Sequence, residues 1–172
     1  MSEHNTTDSW LSQKVFNNHK LAWLWLIVRV YVGWQWLTSG WEKIINPLWI
    51  GPNAGPALSG FIKGALAKST GAHPDVQNWY ASFLQNAVLP HVHGWSAIVA
   101  YGETLVGLGL ILGLFTGLAA FSGAFMNWNF LMAGTVSVNP ILMILSIWII
   151  LARRVAGRIG LDRLLHSRFR KF

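Results

Sequence analysis

The sequence predicts an all-α protein: a four-helix transmembrane bundle with short amphipathic helices in the outer segment between the first and second spans. Three observations predict it. Of the 172 residues, 53% are hydrophobic and only 11% are charged, against about 25% charged in a soluble domain. The chain therefore lacks the polar surface to cover a water-exposed globule. Four apolar stretches reach or approach the roughly 20 residues that cross a bilayer core. Seven of the thirteen basic residues lie beyond Leu151, directly behind the last of those stretches, which is the footprint of a cytoplasmic membrane flank.

Residues 1–20 are polar, with Glu3, Asp8, Lys14 and Lys20. The apolar run that follows is too long for a signal-peptide core and reads as an uncleaved anchor. That first span covers residues 21–45 and ends at Asn46-Pro47. Residues 46–90 form the outer segment, opened by an irregular turn at Gly51, Pro52, Gly55 and Pro56. Residues 57–69 read as a helix with Leu58, Phe61, Ile62, Ala65 and Leu66 on one face. Residues 75–89 read as another, with Val76, Trp79, Tyr80, Phe83 and Leu84 aligned. Amphipathic helices with aromatic apolar faces lie along a membrane interface, and Pro90 is expected to break the chain after them. The second span covers residues 94–112, and the third, 115–133, follows it after only Gly113 and Leu114. The fourth, 138–151, is short and calls for tilt or local thinning. The membrane domain is then 21–152, between a polar cytoplasmic segment (1–20) and a basic cytoplasmic tail (153–172).

Lys14 and Lys20 precede the first span, seven basic residues follow the last, and the tight turns at 113–114 and 134–138 carry no charge. The positive-inside rule places both termini in the cytoplasm, which requires an even number of spans. Trp23, Trp25, Trp41, Trp49, Trp95 and Trp148 fall near span edges as an aromatic belt. Trp34, Trp36 and Trp128 fit a belt less well and are candidates to line a cavity.

Composition also excludes chemistry. The chain has no cysteine, so disulfides, thiol relays and iron–sulfur ligation within it are ruled out. No span carries a mid-membrane histidine, so no buried bis-histidine haem is expected. His91 and His93 at the entry to the second span read as interfacial polar tips rather than a metal site. The net charge of +7 is concentrated at the last span's flank, which argues for a membrane partner and against nucleic acid.

The candidate site residues are the polar ones in hydrocarbon. Arg29 lies inward of the first span's midpoint and Glu103 near the middle of the second. A lone charge at the bilayer centre costs about 2.5–3.5 kcal/mol on insertion scales, so the two are expected to pair, with Asn127 of the third span bonded into the pair. The pair is either a proton-handling or cofactor-binding group, or a clamp that fixes helix register. Arg29, Gly33, Trp36, Gly40 and Lys43 share one helical face, and its glycines admit a neighbouring helix or a flat ligand. Tyr101 lies near Glu103 in sequence.

The stretch RVYVGWQWLTSGWEKIINP resembles the opening helix of the DoxX/DoxD-like membrane proteins. YGETLVGLGLILGLFTGLAAFSGAFMNWNFLMAG, followed by SVNP, resembles their second and third helices and the entry to the fourth. The positions matching the family pattern are Arg29, Gly40, Lys43, Gly102, Glu103, Gly107, Gly113, Asn139 and Pro140. The long outer segment is similar to that of the thiosulfate:quinone oxidoreductase subunit branch. The resemblance implies a multi-pass protein of a bacterial or archaeal plasma membrane, acting with a partner subunit or as a homo-oligomer and passing electrons to quinone. On that reading Glu103 and Arg29 are catalytic, and Trp36, Lys43, Tyr101 and Asn127 contact the quinone. A sulfur oxyanion would approach the outer face near Lys63, Lys68, His91 and His93. The alternative is a non-catalytic membrane scaffold or assembly subunit, in which the buried charges only hold helices together.

Overall fold

The computed structural model describes residues 12–164, and every regular element among them is helical. Four long helices make the body: α1 (Ala22–Ile44), α4 (Val92–Leu112), α5 (Thr116–Met132) and α6 (Asn139–Leu151). Two shorter ones, α2 (Pro56–Ala67) and α3 (Asn78–Phe83), cap one end, and α7 (Arg153–Ala156) closes the other.

The tightest seam is between α1 and α4, and glycines make it possible. A Cβ on Gly40 would lie 2.5 Å from the Thr104 backbone nitrogen, and one on Gly107 would lie 2.5 Å from that of Leu37. Backbones this close leave no room for a methyl group, which is the usual role of small residues between apolar helices. The predicted face of α1 is the buried one: Arg29, Gly33, Trp36 and Gly40 are all inside. The glycines admit a helix there and not a flat ligand.

Helices α2 and α3 carry a second core of their own. Leu58, Ile62, Ala65, Val76, Tyr80, Leu84 and Val88 pack with Ala133 at the end of α5. Tyr80 Oη donates to the Asn129 carbonyl at 3.0 Å, and Lys68 Nζ donates to the Gly134 carbonyl at 2.6 Å. The expected helix over 57–69 is thus realised as α2. The expected break at Pro90 is not. Helix α3 runs through a wide turn (Leu84–Val88) and a tight one (Leu89–His91) into α4, so the helical run is continuous from Asn78 to Leu112. A proline ring lacks an N–H and crowds the preceding turn; altered turn widths on its N-terminal side absorb that misfit.

By length and composition, Asn78–Leu112 is the one helix among the described residues that is long and apolar enough to cross a membrane, and Asn139–Leu151 is a shorter apolar helix. The other members depart from that pattern for visible reasons. Helix α1 carries Arg29, Glu42 and Lys43, and α5 has 17 residues.

Residues 153–164 fold onto the body. Val155 and Ala156 are buried with the core around Trp25 and Ile149. At the start of the chain, Trp25 Nε1 donates to the Val15 carbonyl at 3.1 Å and Phe16 stacks on the Trp25 ring. Trp25 is therefore a core residue rather than a belt residue. Trp34 and Trp128 are largely exposed, so of the three cavity candidates Trp36 alone is buried.

A candidate cavity at the Lys43–Glu103 ion pair

The α1–α4 register decides which buried charges meet. Gly40 sits against Glu103 and Thr104, and Arg29 is 11 residues earlier (40 − 29), about 16 Å away at 1.5 Å per residue. Arg29 and Glu103 therefore do not pair. Judging depth from span midpoints misses this, because the glycine seam and not the midpoint sets how the helices slide. Glu103 instead pairs with Lys43, one turn beyond Gly40: Nζ to Oε2 is 2.7 Å. Lys43 also donates to Ser39 Oγ at 2.8 Å and lies 5.2 Å from the centroid of the Trp49 ring. Glu103 is 1% exposed and Lys43 18%, so the carboxylate is inside and the ammonium reaches toward the edge.

Arg29 belongs to the other end. Its Nη1 donates to the Ala156 carbonyl at 2.9 Å and its Nη2 to the Ile159 carbonyl at 2.8 Å. Gly113, in the left-handed conformation with φ +64°, lies directly under the guanidinium, where a Cβ would overlap it. The residue that completes this end is Asp162. Its carboxylate accepts from Phe115 N at 2.7 Å and Thr116 N at 2.9 Å, and its own N–H donates to the Gly113 carbonyl at 2.8 Å. It caps α5 from 46 residues away, satisfying free N–H groups and opposing the helix dipole.

Beside the Lys43–Glu103 pair is a cavity of about 310 Å³ between α1, α4, α5 and α6. Trp36 and Phe130 supply aromatic walls, with ring centroids 6.3 Å apart and planes at 26°. Phe61 of α2 meets Phe130 edge-on at 6.0 Å. Gln35, Thr38, Ser39 and Asn139 give polar lining, and two carboxylates, Glu42 and Glu103, face the same space. Trp36 Nε1 is buried without a hydrogen-bond partner, held against Gly123, where a Cβ would come within 3.0 Å of it. Asn127, one turn beyond Gly123, is fully buried with neither amide atom partnered. It does not join Arg29 and Glu103 in the expected polar cluster.

Tyr101 is not in this cavity. It is 49% exposed and lines a second one of about 330 Å³, with Trp49, Pro52 and His93. Of the residues expected around one site, Glu103, Lys43 and Trp36 are brought together; Arg29 and Tyr101 are not, and Asn127 stays behind the wall. Sequence reasoning missed Glu42 as a cavity residue and Asp162 as a cap. The adjacency of Glu42 to Lys43 was a readable signal for the first. Nothing local to α5 signalled the second.

Among known proteins, neither a curated protein nor a solved structure matches the chain. A family model described as DoxD, the TQO small subunit DoxD, matches residues 23–172. That range takes in both ends of the bundle, helices α2 and α3 and the cavity, and the chain belongs to the DoxD family.

Proposed function

We propose that this chain is the quinone-handling membrane subunit of a thiosulfate:quinone oxidoreductase, and that quinone is reduced in the cavity beside Lys43 and Glu103. Family membership supports the enzyme class. The distribution of residues supports four membrane spans with both termini cytoplasmic. Large apolar side chains such as Ile27, Leu105, Phe121 and Ile144 are exposed around the outside, while Arg29, Ser96, Glu103, Asn127 and Ser146 are buried. Polar inside and apolar outside is the pattern of a protein solvated by lipid. Helices α5 and α6 are short for a full span and would be accommodated by thinning or tilt.

The carrying observation is the cavity itself: two aromatic walls, a buried ion pair at its edge, and a volume at the lower end of the roughly 300–1,000 Å³ typical of ligand sites. It accommodates a ring rather than a whole lipid. The quinone ring would lie against the Trp36–Phe130 stack, and Glu103, with Lys43 held on it, would exchange a proton with a carbonyl oxygen. Glu103 and Glu42 against one lysine make the cavity acidic overall, which opposes entry of a sulfur oxyanion. That substrate is assigned to the outer face and the partner subunit. Electrons are assigned to the same source, because the chain has no cysteine for a redox centre of its own.

The test is quinone reduction by the intact complex carrying Glu103→Gln. Reduction is expected to fall at least 100-fold with quinone still bound. An unchanged rate sinks the proposal.

A further inference from the structure

We propose that Glu42 and Glu103 form a two-carboxylate relay that delivers protons to the cavity from the side of the membrane that bears α2 and α3. This rests on the cavity being the quinone site and adds a residue and a direction to it. Glu42 is exposed near the C-terminal end of α1, and Glu103 is 1% exposed. Both line the same cavity, so one wall of it carries a carboxylate at the surface of the bundle and another carries one sealed inside. The two are the titratable groups of the lining. The α5 and α6 residues of the lining, Phe130, Val138, Asn139 and Leu142, carry no charge, and Lys43 is the charged group held on Glu103.

Chemistry requires such a path. Reducing a quinone to its quinol adds two electrons to the ring and one proton to each of the two carbonyl oxygens. Two thiosulfate anions that couple through a new S–S bond release two electrons and no protons, so both protons come from water. Glu103 alone cannot supply them, since it is sealed and must be reprotonated after each transfer. Glu42 is placed to do that. The Arg29 end offers no counterpart: Asp162, its acidic group, is bonded to the backbone of α5.

The experiment uses the intact complex in sealed vesicles, with thiosulfate as donor, a short-chain quinone as acceptor, and a membrane-impermeant pH indicator on one side at a time. The expected result is uptake of two protons per quinone from the compartment facing residues 46–90. Glu42→Gln is expected to lower the rate at least tenfold with the KM for quinone unchanged, and Glu42→Asp to restore most of it. A small permeant weak acid should restore part of the rate in Glu42→Gln but none in Glu103→Gln. Because Glu42 is exposed, Glu42→Gln should keep the wild-type melting temperature. Proton uptake from the opposite compartment, or a wild-type rate in Glu42→Gln, overturns the relay while leaving the quinone site standing. Wild-type complex that binds no quinone overturns both.

Discussion

The two ends of the bundle each bury one charge, Arg29 of α1 at one and Glu103 of α4 at the other, and they treat it in opposite ways. At one end Arg29 is enclosed: two main-chain carbonyls accept from it, Gly113 lies flat beneath it, and residues 156–162 wrap over it. At the other end Lys43 and Glu103 stand beside a cavity with room left over. A charge inside an apolar bundle is therefore not by itself a sign of chemistry. Arg29 has both terminal nitrogens engaged in fastening the chain after α6, whereas Glu103 makes one ion pair and faces space that a ligand can fill.

The largest effect that would break this contrast is on activity at the cavity end. Lys43→Met leaves Glu103 buried without its cation, which for a buried pair costs about 3–5 kcal/mol. Quinone reduction should be lost and the melting temperature lowered together. The double variant Lys43→Met/Glu103→Gln should recover stability but not activity, read by thermal unfolding in detergent and by quinone reduction. At the Arg29 end the expected outcome is stability without chemistry. Arg29→Met leaves two carbonyls unpaired, about 3 kcal/mol at roughly 1–3 kcal/mol per unsatisfied group. Limited proteolysis should then cut residues 153–164, while the rate per folded molecule stays within twofold of wild type. A quinone-reduction defect in Arg29→Met matching that of Glu103→Gln would erase the distinction between the ends.

Between these ends runs the glycine seam. Gly40→Ala inserts a methyl group 2.5 Å from the Thr104 nitrogen, and overpacking of this kind costs about 1–3 kcal/mol. Since Lys43 and Glu103 sit on either side of that contact, activity should fall more than stability does. The smallest effect is expected for Asp162→Ala. It removes a cap worth about 1 kcal/mol, measured as a small drop in melting temperature with quinone reduction intact.

Much of the fold was legible because apolar length and helical spacing are local signals. Leu58, Ile62 and Ala65 recur on one face and do form one side of α2. Gly33, Gly40 and Gly107 were readable as close-packing positions, and with them the register was in principle readable too. The Arg29–Glu103 pairing failed because it compared depths span by span instead of aligning those glycines. Lys43 was placed on the right face but not paired with Glu103, which was given Arg29 instead. The continuity through Pro90 and the cap from Asp162 were not legible. The first depends on turn widths that composition does not encode, and the second on a contact 46 residues away in the chain.

Quinone is expected to bind beside Lys43 and Glu103. A photoreactive quinone should be illuminated on the purified complex and its attachment sites mapped by mass spectrometry. Labelling at residues 35–42, 130 and 138–142, competed by excess unlabelled quinone and absent near residues 29 and 153–164, is the predicted result. Competed labelling confined to the Tyr101–Trp49 cavity, or none on this chain at all, would contradict the assignment of the Lys43–Glu103 cavity.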